Sequence, residues 1–173
     1  MHYIRDNLAV CGFPGIGRRD EFETHGFDAQ LQCAEPFEPW LRECLDVKSL
    51  PFDDGALIPK GVFDEAQEWL LRHWESGSKI LISCVGGQSR SVTMSVALLS
   101  TTSHSDFLHS VHDVLSRVPE AYPHPHVLVS AANHCGKLLQ LDDLRLIYAN
   151  ARYQPPYPWS IDLMQEAINA VAA

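Results

Sequence analysis

Cys84 and Arg90 bracket the most reactive combination of residue types in this chain, within the run Cys84-Val85-Gly86-Gly87-Gln88-Ser89-Arg90-Ser91. Gly86 and Gly87 open backbone conformations closed to other residues, so several N–H groups can converge on one concavity. If a helix starts at the end of this run, its N-terminus adds a further preference for anions. Arg90 contributes a fixed fork of donors that matches two oxygens of a phosphate. A thiol in such a nest loses its proton readily, because the helix end and the guanidinium both favour the thiolate. The residue types therefore supply a nucleophile and an oxyanion cradle around one phosphorus-sized space. Ser91 can steady the thiolate when it leaves. The plainer alternative is a quiet glycine-rich strand-to-helix turn that happens to bury a cysteine.

The flanking sequence must provide the strand and the helix. Ile80-Leu81-Ile82 is a short continuous apolar run, the mark of a strand buried on both faces of a parallel sheet. Residues 91–99 form an apolar stretch with almost no polar side, which predicts a buried helix ending at the Ser/Thr-rich cluster from Ser100, where His104 also lies.

Cys84-x5-Arg90, with Gly87 three residues after the cysteine and Ser91 after the arginine, resembles the signature of the cysteine-dependent protein tyrosine phosphatase superfamily. Gly87-Gln88-Ser89-Arg90-Ser91 is most similar to its dual-specificity branch. The opening phrase Ile4-x-x-x-Leu8-x-Val10-x-Gly12 and the run Val114-x-x-Arg117-x-Pro119-x-x-x-Pro123-x-Pro125 also resemble that branch. One departure is Ser83, where the family usually has histidine before the cysteine. The resemblance covers about the first four-fifths of the chain. It implies phosphomonoester hydrolysis through a cysteinyl-phosphate, with Cys84 as nucleophile and the loop Val85, Gly86, Gly87, Gln88, Ser89 and Arg90 holding the phosphate. No cofactor and no metal are implied. Ser83 keeps a second reading open, a pseudophosphatase that binds phosphate with little turnover.

Such a reaction needs an acid to protonate the leaving oxygen, and the family carries an aspartate about thirty residues before its cysteine. Asp53 and Asp54 both stand at that distance. Pro51-Phe52-Asp53-Asp54-Gly55-Ala56 resembles the acid loop of the regenerating-liver phosphatases, where the second acidic position is the acid. Asp54 is thus the implied acid and Asp53 its neighbour, although counting back from Cys84 allows either. The loop positions Val85, Gly86, Gln88 and Ser89 are uncharged, which disfavours a polyphosphorylated lipid. Phosphotyrosine and phosphoserine/threonine of proteins remain as substrates, unranked by the loop. The ending Ala170-Val171-Ala172-Ala173 offers no prenylation cysteine.

Elsewhere the chain alternates short strands and helices. Tyr3-Ile4 and Leu8 to Cys11 suggest two short strands or a hairpin, the stretch from Gly12 to Gly17 with Pro14 a loop, and Arg18 to His25 a short polar helix. Ala29 to Cys33 alternates like a strand with Cys33 in the core, Trp40 to Leu45 suggests a short helix, and Val47 to Phe52 a strand whose Pro51 belongs near an edge. Val62 to Trp74 has helical spacing on one face and is stopped by Ser76-Gly77-Ser78. Helices are expected from Phe107 to before Pro119, from about Val127 to Leu139, and from Asp142 to Arg152. A proline-rich connector, Tyr153 to Pro158, precedes a last helix capped by Ser160. The expected architecture is a single α/β domain with a central, mostly parallel twisted sheet flanked by helices. Residues 1–150 would form the catalytic domain, and 151–173 an extension packing as a helix on it. The ligand site belongs at the carboxyl end of the buried strand.

Composition sets the remaining bounds. The chain has 173 residues, enough for one domain with a proper core. A formal net charge of −9, with no basic cluster, argues against nucleic acid and against anionic membrane surfaces. Five cysteines without zinc-type spacing, and no stretch of membrane length, suggest a reducing cytoplasm. His104, His109 and His112 share a segment that reads more simply as a solvated helix face than as a metal site. The expected partner is a phosphoprotein or phosphopeptide, and the sequence gives no oligomeric state.

Overall fold

The computed structural model describes residues 1–13, 16–17, 19–35, 39–103 and 106–172. Five strands form one sheet in the order β1-β2-β5-β3-β4: β1 (His2–Arg5), β2 (Leu8–Gly12), β3 (Ala29–Gln32), β4 (Asp46–Ser49) and β5 (Ile80–Cys84). β1 and β2 make the expected antiparallel hairpin; β2, β5, β3 and β4 are mutually parallel. Parallel pairing brings the carboxyl ends of β2, β5 and β3 to one rim, so Gly12 faces Cys84 in register and Cys33 follows β3 beside them. That rim is where an α/β sheet presents ligand-binding loops.

The period of two in a strand sorts the side chains of β5. Ile80, Ile82 and Cys84 face the larger core, packed with α3 (Lys60–Glu75), α4 (Arg90–Thr102), α5 (Phe107–Arg117) and α6 (Pro125–His134). Leu81 points the other way, into a smaller cluster with Ala9, Cys11, Phe22, Phe27 and Leu41 under α1 (Arg19–Glu23) and α2 (Leu41–Cys44). α4 runs through the middle of the larger layer, touching β5, α3, α5 and α6. Every residue from Ser91 to Leu99 is buried, which explains the missing polar face. α7 (Leu141–Asn150) and α8 (Ile161–Ala172) complete the outer layer, and α8 sits on α6 and α7 with Met164 and Ala167 buried.

Several boundaries differ from the sequence expectation for local reasons. α4 continues to Thr102 rather than stopping at Ser100, because the hydroxyls of Ser100, Thr101 and Thr102 donate back to carbonyls of the preceding turn and so stay satisfied inside the helix. α6 ends at His134, not near Leu139: Gly136 takes a left-handed φ of 77° and its N–H closes on Asn133. The edge strand β4 ends at Ser49, ahead of Pro51, yet Leu50 N–H still reaches Gln32 O at 2.9 Å and carries the chain alongside β3. Ser160 Oγ accepts from Leu163 N–H at the start of α8. Pro14, Arg18 and His104 lie outside the described residues. His109 and His112 lie on α5, and no cluster suited to a metal occurs among the described residues. All five cysteines are free thiols.

Candidate active site

The loop after β5 is shaped by backbone contact with the end of β2. Gly87 has φ +73°, and a Cβ there would fall 2.4 Å from Gly12 N. A Cβ on Gly12 would in turn lie 2.6 Å from the carbonyl carbon of Gly86. Gly87 leaves room for the main chain of Cys11 and Gly12, Gly12 for that of Val85 and Gly86, and Phe13 N–H donates to Val85 O at 3.1 Å across the same seam. This close approach bends the loop back over Cys84. Gly87 N–H then points at Cys84 Sγ, 3.3 Å away, and Ser91 Oγ lies 3.2 Å from the same sulfur. A thiolate here would receive two hydrogen bonds, one from the backbone and one from the first turn of α4.

Arg90 ties three segments together. Its Nη1 donates to Phe52 O at 3.0 Å and to Cys33 O at 3.4 Å, joining the loop to the end of β3 and to the acidic turn. Its buried Nε has no hydrogen-bond partner among the described residues and stands 3.9 Å from Asp54 Oδ1. That N–H can donate to an oxygen of a bound anion at no cost to an existing hydrogen bond.

The two aspartates are separated by their surroundings. Asp54 is half-buried, and its Oδ1 accepts a 2.5 Å hydrogen bond from Ser89 Oγ. Asp53 is exposed; its Oδ1 accepts from Gly55 N–H at 2.9 Å and so folds the turn itself. Both ends of the acidic segment are fixed: Arg90 holds Phe52 O, while Ile58 N–H donates to Ser130 Oγ at 3.0 Å and Ile58 O meets His134 Nε2 at 3.0 Å.

The loop is also tied to the stretch between α5 and α6. Tyr122 N–H donates to Gln88 O at 3.0 Å, and His124 N–H donates to Ser89 Oγ at 2.9 Å. Ser89 thus relays between His124 and Asp54. Burial lowers the His124 pKa, reinforced by His126 and opposed by Asp54 and Asp53. The imidazole beside the site is therefore held toward its neutral form.

Beneath the loop, Ser83 is fully buried and its hydroxyl accepts from Gln30 Nε2 at 2.9 Å. It faces the layer under α1 and α2, and packs with Gln30 and Gln32 rather than reaching into the loop. Two further thiols belong to this foundation: burial pushes Cys11 up to about 12 and holds Cys33 well above the ordinary thiol range.

A cavity of about 560 Å³ opens over this arrangement, with Cys84, Arg90 and Asp54 on its walls together with Val85, Gly86, Gln88 and Ser89. Cys84 itself is only 2% exposed, so its sulfur lies at the bottom of the cavity. Gly55 and Pro155 also line it, and the rest is aromatic: Tyr122 and His124, then Tyr153, Tyr157 and Trp159 from the segment before α8.

No protein-family model matches the chain. A stretch of 63 residues is 38% identical to Dual specificity protein phosphatase 1B of Arabidopsis thaliana; it spans 36% of this chain and 38% of that protein's length. Among solved structures, human DUSP28 superposes with a TM-score of 0.66 at 14% identity, covering 86% of this chain and 99% of that one. DUSP15 superposes at 0.65 and 16% identity, covering 96% and 94%. The active form of Tk-PTP reaches 0.61 at 23% identity, covering 86% and 95%. The chain has the fold of the dual-specificity cysteine phosphatases.

Within that dual-specificity fold, the residues singled out by sequence take five different places. Cys84, Arg90, Ser89 and Asp54 converge on the cavity, Val85, Gly86 and Gln88 form its rim, and Ser91 backs the sulfur. Gly87 is buried beneath the loop and acts through its N–H on Cys84. Asp53 lies off the cavity and shapes the turn. The sequence reading did not anticipate Tyr122, His124 or the aromatic segment, nor the part Gly12 plays. Gly12 carried a usable signal, a glycine ending a strand of otherwise apolar residues; the rings carried none, because nothing local ties residue 157 to residue 84.

Proposed function

We propose that this chain is a phosphomonoester hydrolase acting on phosphoproteins through a cysteinyl-phosphate. The observation that carries the reading is one sulfur, Cys84 Sγ, held between Gly87 N–H and Ser91 Oγ at the bottom of a cavity that Asp54 and Arg90 also line. The Cys84 thiolate attacks phosphorus in line, and the bond from phosphorus to the leaving oxygen breaks. Asp54 gives its proton to that oxygen. The phosphoryl oxygens are held by Arg90 and by amides from Val85 to Arg90, apart from that of Gly87, which is turned to the sulfur. Water then attacks phosphorus while Asp54 takes its proton. The sulfur–phosphorus bond breaks, and the departing thiolate is received by Ser91 Oγ–H and Gly87 N–H. Asp53 supports the turn that presents Asp54. A reducing compartment such as the cytoplasm suits a nucleophile that must remain a thiol.

A second reading, a phosphate-binding module with little turnover, is favoured by Ser83, whose hydroxyl is committed to Gln30 instead of the loop. Hydrolysis of a chromogenic aryl phosphate by wild type and by Cys84→Ser decides between them. Turnover by wild type that vanishes in the variant is the expected result. If wild type binds inorganic phosphate and releases none from the substrate, the binding module is correct.

A further inference from the structure

The segment between α7 and α8 does more than connect them. Gln154 Nε2 donates to Tyr148 O at 3.0 Å and to Ala151 O at 2.8 Å, which fixes where the segment leaves α7. At its other end Trp159 Nε1 donates to Pro123 O at 3.0 Å, and Tyr148 Oη donates to the same carbonyl. The Trp159 ring meets His124 edge-on at 4.7 Å and stacks at 5.8 Å on Tyr122, which also meets Tyr148 at 5.1 Å and Tyr153 at 6.1 Å. Pinned at both ends, the segment holds a row of rings along one side of the cavity that contains Cys84. Tyr153 and Tyr157 stand at the outer part of this wall, 39% and 88% exposed.

Resting on the phosphatase reading above, we propose that Tyr153, Tyr157 and Trp159, with Tyr122, form an aryl-binding wall that selects phosphotyrosine over phosphoserine and phosphothreonine. Two physical arguments carry it. A phenyl ring standing on the phosphate would lie beside Tyr122 and Trp159, which their contacts with each other, with His124 and with Pro123 O already hold in place, and aromatic pairs gain beyond their buried area. Depth adds to this. The sulfur is at the bottom and the rings are at the sides, and a phosphoserine has a single carbon between its phosphate oxygen and its main chain. Its backbone would have to descend between the rings, with its peptide groups desolvated. The long, flat phosphotyrosine side chain leaves its backbone at the mouth.

The test compares two peptides of one sequence, carrying phosphotyrosine or phosphothreonine, on wild type and on the double variant Tyr153→Ala/Tyr157→Ala. Both side chains are exposed, so thermal unfolding should show the fold retained. Wild type is expected to favour the phosphotyrosine peptide in kcat/KM. The double variant should lose about 2- to 12-fold per ring on that peptide, chiefly through KM. Its loss on the phosphothreonine peptide should be several-fold smaller. Equal losses on both peptides, or no preference in wild type, overturn the proposal. Should wild type hydrolyse neither, the same two peptides are titrated calorimetrically into Cys84→Ser with and without the ring substitutions. A phosphotyrosine preference that the ring substitutions abolish would uphold the wall and sink the hydrolase; equal affinities would sink the wall.

Discussion

The loop after β5, 84–90, and the aromatic segment, 153–159, line one cavity and are built in opposite ways. The loop gathers main-chain groups and the Arg90 side chain around Cys84, and its shape is set by the close approach of Gly87 to Gly12 on the adjacent strand. The segment works with side chains and is held by bonds to Tyr148, Ala151 and Pro123. Charge stabilisation needs many donors fixed on one point, which a tight turn at a helix N-terminus supplies within seven residues. Discrimination among leaving groups needs surface above that point, which a turn so short cannot provide. The proposed function and the proposed aryl wall thus place chemistry and selectivity in separate parts of the chain. Changes in the loop should affect every substrate alike, and changes in the segment should reorder substrates.

The largest effect should come from Cys84→Ser. Its hydroxyl is not ionised near neutral pH, and losing a nucleophile costs on the order of 10⁴- to 10⁶-fold in kcat. Thermal unfolding should be nearly unchanged, and the loss should be the same for aryl and alkyl phosphates. A substrate-dependent loss would break the division between loop and segment.

Asp54→Asn should come next, with a loss of about 10²–10⁴-fold on a phosphotyrosine peptide and much less on an aryl phosphate with an acidic leaving group. The limb of the pH–rate profile that reports the acid should disappear. Asp53→Asn should lose less and keep that limb, since Asp53 binds Gly55 N–H at the turn. The reverse ranking in steady-state kinetics would give the acid role to Asp53.

The glycine contact can be sharpened inside the molecule. Gly87 and Gly136 have nearly the same φ, +73° and +77°, but only Gly87 is crowded: nothing lies within 4 Å of a Cβ built on Gly136. Gly136→Ala should therefore cost only the left-handed strain, about 1–2 kcal/mol. Gly87→Ala adds a clash with Cys11 and Gly12 main chain and should exceed that, with lost turnover. Urea midpoints of the two variants measure the difference. Equal midpoints would mean the seam between β2 and the loop can part freely.

The foundation of the loop predicts a pH effect. The Cys11 thiol is raised by burial to about 12, so its stabilising contribution is complete below the unfolded thiol value of about 8.5 and is lost as pH rises toward the folded one. Between those limits stability should fall by about 1.4 kcal/mol per pH unit for this thiol, with Cys33 adding in the same direction. Urea unfolding at several alkaline pH values should show a shallower slope for Cys11→Ala; an unchanged slope would mean that Cys11 ionises without unfolding. The smallest effect belongs to the far side of the cavity. Gln154→Ala frees one end of the aromatic segment and removes two hydrogen bonds, each worth about 1 kcal/mol or less at a half-exposed site. KM for a phosphotyrosine peptide should rise a few-fold with kcat kept, and a fall in kcat alone would place the segment within the chemistry.

The sequence by itself determined what is local. The continuous run Ile80 to Ile82 marked the central strand, the faceless stretch after Ser91 marked the buried helix, and Cys84, Gly87 and Arg90 marked the nest between them, because a phosphate-binding turn is written in consecutive residues. Helix ends were less legible: Ser100 to Thr102 look like breakers, yet their hydroxyls find carbonyls one turn back. Spacing from Cys84 allowed either aspartate and only the resemblance of the acid loop favoured Asp54; the tertiary structure gives them different surroundings, with Asp54 against Ser89 in the cavity and Asp53 in the turn. It likewise turned Ser83 toward Gln30, and brought Tyr153 and Trp159 to the same cavity as a cysteine some seventy residues earlier. No pattern within the segment encodes that approach: it follows from α8 docking on α6 and from Pro123 accepting two hydrogen bonds.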